Sequence, residues 1–245
     1  MSSTAIKTIE VENNKLGLNH SHRLKYKSNL IKLYLFNFFI GFSLISGVLI
    51  PFYLLYGGFT FLEFMFLQSY YAIMLILFGI PCGVIADHFS RKTSLILASF
   101  SYLAVPFIYG IVSNKFLFII GETLFAFSNA LISGSNEAII YDNLKKIGNE
   151  KYISKSMAKN DGMFLLGIII SAPLGSIIAE LTSIRIVILL MIIPYLISAI
   201  ITITIQKIDY NELNKKKSVF ETLKSGFNEI KKNKILRILI FEKII

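Results

Sequence analysis

The chain has 245 residues, 54% of them hydrophobic and only 16% charged, with a mean hydropathy of +0.65. Soluble domains carry about a quarter charged residues, so this composition excludes an ordinary soluble domain and leaves a polytopic membrane protein. The net charge of +10 would suit a nucleic-acid partner, but its distribution along the chain reads instead as a membrane topology signal.

Residues 1–28 are polar and basic and are predicted to form a flexible cytoplasmic tail. Six apolar runs follow, at 30–56, 61–86, 93–112, 116–141, 157–181 and 184–205. A bilayer is crossed by roughly 20 apolar residues, so each run predicts one transmembrane helix. The first is read as a retained span, because a long polar tail precedes it and no small-x-small cleavage site follows. Gly57-Gly58, Ser113-Asn114 and Thr182-Ser183 are connections short enough to force antiparallel hairpins. The expected fold is therefore all-α, a six-helix membrane bundle over residues 29–206.

Of the 25 basic residues, all but Lys115 and Arg185 fall on one side of these spans. Lys and Arg gather on the cytoplasmic side, so the N-terminus and the segment after span six are predicted there. Membrane lipid, not nucleic acid, is the expected partner. In residues 207–234, Val219, Phe220, Leu223, Phe227 and Ile230 recur at helical spacing opposite lysines. This predicts either an amphipathic helix on the inner membrane surface or a solvated linker helix. Residues 235–245 turn apolar again. At 1.5 Å per residue they reach about 16 Å, half of a hydrocarbon core about 30 Å thick, and read as an incomplete seventh helix.

Cys82 is the single cysteine, so neither an intrachain disulfide nor a thiolate metal cluster can form, and a packing role suits it. The three histidines, His20, His22 and His88, lie outside the predicted spans. No intramembrane Ser-His dyad, zinc H-E-x-x-H motif or phosphate-binding loop is present. The expectation is a protein that is not an enzyme and carries no metal or cofactor.

Between spans two and three stands Gly83-Val84-Ile85-Ala86-Asp87-His88-Phe89-Ser90-Arg91-Lys92. The pattern G-x-x-x-D-x-x-[G/S]-R-K in this loop resembles the signature of the major facilitator superfamily of secondary transporters, with Ser90 where Gly is usual. The resemblance covers nearly all of residues 30–245 and implies the N-terminal six-helix half of such a carrier. It also implies a cytoplasmic latch, in which Gly83 permits close helix approach and Asp87 engages the other half. Arg91, followed by Lys92, would pair with an acid at the inner end of span four, where Glu137 and Asp142 stand. Capping and positive-inside anchoring also account for these charges. The stretch Glu137-Ala138-Ile139-Ile140-Tyr141-Asp142 resembles bacterial members with unassigned or multidrug-efflux roles.

Span four carries Glu122, Ala126, Asn129, Ser133 and Asn136 at steps of three or four, on one helical face. A carboxylate in hydrocarbon costs up to ~3 kcal/mol, so Glu122 must face a cavity or a partner, or hold a proton. Two readings fit: a wall of the transport pathway with Glu122 as its proton-binding group, or a hydrogen-bonded packing stripe. The superfamily's drug-exporting branch usually has Arg where Glu122 falls, so that branch's mechanism does not carry over. Gly167, Ser171 and Gly175 recur every fourth residue of span five, a spacing that lets membrane helices pack closely. With Pro173 they faintly resemble the Gly-Pro signature of proton-linked antiporters. Asn160 and Asp161 are read as capping residues at the start of that span.

Pro81-x-Gly83-x-Ile85-Ala86-Asp87-x-x-Ser90-Arg91 has an echo in Pro173-x-Gly175-x-x-Ile178-Ala179-Glu180-x-x-Ser183-x-Arg185. One copy ends span two and the other span five, as expected of two three-helix units of opposite topology. The functional expectation is a plasma-membrane secondary transporter of small molecules, efflux-like and proton-coupled. It would need a C-terminal half, a separate chain or a second copy to complete it. The alternative is a non-transporting binding or regulatory subunit, or an inactive fragment.

Overall fold

The computed structural model describes residues 20–111 and 113–206. The first 19 residues of the predicted tail, the amphipathic segment 207–234 and the apolar segment 235–245 lie outside them. Every regular element among the described residues is helical, and six stretches are long and apolar enough to cross a membrane. Span one is the helix His20–Gly41 followed by single turns at Leu44–Val48 (3-10), Leu49–Pro51 (α) and Phe52–Tyr56 (π). Spans two to four are the helices Phe61–His88, Arg91–Ile111 and Lys115–Lys146. Span five is Ile153–Leu181, entered by a 3-10 turn at Glu150–Tyr152, and span six comprises Ile184–Leu190 and Ile192–Thr204.

The first helix starts ten residues ahead of the predicted apolar run and takes in residues 20–28, assigned above to the tail. Nothing between His20 and Leu30 is Gly or Pro, and helix propagation, once nucleated, continues until something stops it. At its other end span one breaks where a single continuous helix was expected. Ser43 is extended (φ −102°, ψ 96°). Pro51 has no N–H for the carbonyl four residues back, Gly47. Ser176 of span five serves it instead, its hydroxyl donating at 3.0 Å. Bilayer-depth backbone tolerates such a break only where protein or a cavity supplies the lost partners. Span six breaks at Met191 for a related reason, because Pro194 cannot donate to Leu190.

Turn chemistry fixes the hairpins. Gly58 takes φ +66°, which favours glycine, and Thr60 then forms a reciprocal capping box with Glu63. Asn114 caps span four through the Phe116 amide at 2.8 Å, and Ser183 caps span six. Span four runs past its predicted end and stops at Gly148, which has φ +67°.

The packing partners follow a rule. Span one packs on five and six, span four on two and three, and three packs on six. Exchanging one with four, two with five and three with six leaves that pattern unchanged, the relation expected of paired three-helix repeats. The main apolar core lies inside the bundle, around Leu33, Phe36, Phe52, Leu95, Phe118 and Ile188. Ile31, Phe66, Ile73, Ile169 and Ile193 stay exposed on its outside, suited to lipid.

Candidate functional site

A cavity of about 260 Å³ opens among the spans, bordered by the break in span one at Gly41, Ser43 and Ser46. Its polar centre is Glu122, 4% exposed. The Tyr53 and Tyr109 hydroxyls both donate to Glu122 Oε1, the latter at 3.0 Å. Two turns along the same helix, Asn129 completes a second knot. Its Oδ1 accepts from the Tyr102 hydroxyl at 2.7 Å, and its Nδ2 donates to the Tyr71 hydroxyl at 3.1 Å. Spans one to four thus meet through phenol–carboxylate and phenol–amide bonds, and Glu122 and Asn129 share one cavity wall. Hydrogen bonding of this kind is what a polar group held inside a membrane bundle requires.

The rest of the predicted stripe diverges. Ser133 is exposed, and Asn136 is buried with Oδ1 unpartnered in the structure. Helical spacing puts all five residues on one face, but a face a hundred degrees wide can straddle a cavity and a packing seam.

At the opposite end of the bundle, Arg91 Nη1 donates to Asp142 and, at 3.0 Å, to the Ala138 carbonyl. Asp142, one of the two acids named for Arg91, makes an ion pair with it, partly shielded from solvent. Glu137 stands exposed on the same helix. Lys92 Nζ donates to the Ile203 carbonyl at 2.8 Å, and Lys32 Nζ to the Thr204 carbonyl at 2.7 Å. Two cations therefore cap the last carbonyls of span six, where a helix end carries partial negative charge. Asn29 adds to the clamp, accepting from the Gln206 amide at 2.9 Å and donating to Asn143 at 3.2 Å. The Asp87 side chain is outside what the structure describes.

Gly167 and Gly175 lie against span one backbone to backbone. A Cβ on Gly175 would strike the Leu44 carbonyl, and one on Gly167 the Phe38 carbonyl and the Gly41–Phe42 peptide. Ser171, fully buried between them, returns its hydroxyl to the Ile168 carbonyl at 3.3 Å. Gly83 differs: a Cβ there meets nothing within 4 Å. Asn160 also departs from its capping assignment. The helix begins seven residues earlier, and Asn160, buried, accepts from Asn37 Nδ2 at 2.7 Å.

Sequence reasoning missed the tyrosines and the asparagine pairs. Asn29 and Asn37 carried a readable signal, being amides at the edge of and within the first apolar run. The tyrosines carried none, because Tyr is equally at home in a core and at an interface.

The major facilitator superfamily model matches residues 33–242, and the chain belongs to that family of membrane transporters. Among curated relatives it is similar to an uncharacterised MFS-type transporter, YxaM of Bacillus subtilis, at 25% identity over 210 residues. The match takes in 81% of this chain and 51% of the relative, so the chain spans about half the length of that protein.

Proposed function

We propose that this chain forms one half of a plasma-membrane secondary transporter that exports small molecules in exchange for protons. The observation that carries the reading is the buried Glu122 carboxylate on the wall of an intramembrane cavity. Ionisable groups in such positions mark substrate and proton paths by default. The Arg91–Asp142 pair at the other end ties span three to span four and serves as the lock of the cytoplasmic gate. Glu137, Asp87 and Gly83 belong to the surface that meets the facing half. Alternating access then consists of rocking this bundle against that half, supplied by further chain, a separate polypeptide or a second copy. The N-terminus and the end of span six lie on the cytoplasmic side.

Vesicle transport tests this. A panel of dyes is measured with and without an imposed proton gradient, for the wild type and for Glu122→Gln. Gradient-dependent movement abolished by the substitution is the expected result. Movement that persists in Glu122→Gln overturns the role of Glu122. No movement by a correctly inserted protein, alone or with its facing half, overturns the transporter reading.

A further inference from the structure

The cavity around Glu122 has an unusual chemical balance. Its border includes Tyr53, Tyr71, Tyr102, Tyr109 and Tyr195 together with Phe52 and Phe125, and Glu122 is its one charged residue. Among the described residues no Lys, Arg or His borders it. Glu122 has no basic partner among the described residues: its carboxylate bonds are to the Tyr53 and Tyr109 hydroxyls. The rings are held in place. Tyr102 lies edge-on to Tyr195 (centroids 5.3 Å, 71°) and to Phe125 (5.1 Å, 78°), and Tyr109 packs on Phe118 at 4.9 Å. Their hydroxyls are committed as well, those of Tyr53 and Tyr109 to Glu122 and that of Tyr102 to Asn129. With three of the five hydroxyls committed, the cavity offers a guest mainly ring surface, beside a few polar groups at Ser43, Gln68 and Tyr71.

Rings with a negative face, one carboxylate and no cation form a site for a single positive charge that needs no hydrogen-bond donors of its own. We propose that the cavity binds the head of an organic monocation, of the quaternary or tertiary ammonium class. This inference rests on the transporter reading for the cavity's role as a substrate site, and adds to it the ligand class. The volume is just below the usual range for whole drug-sized ligands, roughly 300–1,000 Å³. It fits a compact cationic head better than a large fused-ring dye. Anions are excluded because Glu122 would face them without a counter-charge. Sugars are disfavoured because most of the cavity's border is apolar or aromatic and cannot replace their hydration.

The test is equilibrium dialysis of the chain in lipid nanodiscs, with empty nanodiscs subtracted. The probes are a radiolabelled phenyl-trimethylammonium and its uncharged tert-butyl isostere, which share shape and differ in charge. The expected result is binding of the cation roughly tenfold or more tighter than the isostere. That preference falls in Glu122→Gln and in Tyr102→Leu. Equal binding of the two probes by the wild type overturns the proposal without any variant. A preference that survives in well-inserted Glu122→Gln overturns it too, by placing the cation elsewhere. The two readings separate cleanly. Gradient-driven, Glu122-dependent movement of uncharged compounds alone would sink the monocation and keep the transporter. Cation binding with no transport by the completed carrier would do the reverse.

Discussion

Two seams of the bundle occupy equivalent places in its internal symmetry yet are built differently. Span one meets span five through backbone: Gly41, Gly47, Gly167 and Gly175 each lie where a Cβ would strike main-chain atoms of the other helix. Span two meets span four through side chains. Cys82 and Leu131 are fully buried there, Phe78 packs edge-on to Phe127 at 5.5 Å, and a Cβ on Gly134 would sit an ordinary 3.6 Å from the Gly83 Cα. Interhelical association in membranes depends on close packing rather than on apolar transfer. The first seam therefore has a single closest arrangement, while the second has room to adjust. A bundle with one rigid and one yielding seam is biased toward moving at the second, the seam beside the Gly83–Lys92 loop.

The largest test of that contrast is Gly175→Leu, which puts a branched side chain into the Leu44 carbonyl. It should destabilise the bundle by about 3 kcal/mol, the upper part of the usual overpacking range, and lower the yield of folded protein in detergent. A variant as heat-resistant as the wild type would show that the seam is not locked. Asp142→Ala comes next. Removing the carboxylate that pairs with half-buried Arg91 should cost on the order of 1–3 kcal/mol. Cysteine pairs across spans three and four should then crosslink less efficiently, and an unchanged pattern would separate the ion pair from the proposed gate. Gly83→Ala is expected to be nearly silent in thermal unfolding. If it is silent in unfolding yet abolishes transport, seam two–four must close further in another conformation, and the family's close-approach role for Gly83 applies to that state. The smallest effect belongs to Lys115→Ala, since the Lys115–Glu63 pair is exposed and such pairs contribute little. Unfolding of that variant should match the wild type.

How much of this was legible in the sequence depends on the physical quantity each signal measures. Hydropathy over twenty residues recovers spans, because crossing hydrocarbon is a property of a whole segment, and all six appear where the apolar runs predict them. Breaks within spans were not legible. Pro51 and Pro194 interrupt their helices, whereas Pro81, Pro106 and Pro173 sit inside continuous ones. The difference lies in local packing and in what neighbouring groups offer the freed carbonyls, as Ser176 does for Gly47. The four-residue step of Gly167, Ser171 and Gly175 put those residues on one face, but not which partner that face would meet. Glu122 stood out because a carboxylate in an apolar run needs an explanation. Its tyrosine partners did not, since they come from spans one and three and no local spacing links them.

The clamp at the end of span six has a mechanical consequence. Lys32 and Lys92 grip the carbonyls of Thr204 and Ile203, and Asn29 holds Gln206 on both its amide and its carbonyl. Lys92 adjoins Arg91, so the same first turn of span three that pairs with span four also grasps the last turn of span six. A pull applied to the chain beyond Gln206 would not merely unwind that turn. It would be felt at once at the start of span three and along span one, which makes the junction at Gln206 a lever arm on both spans.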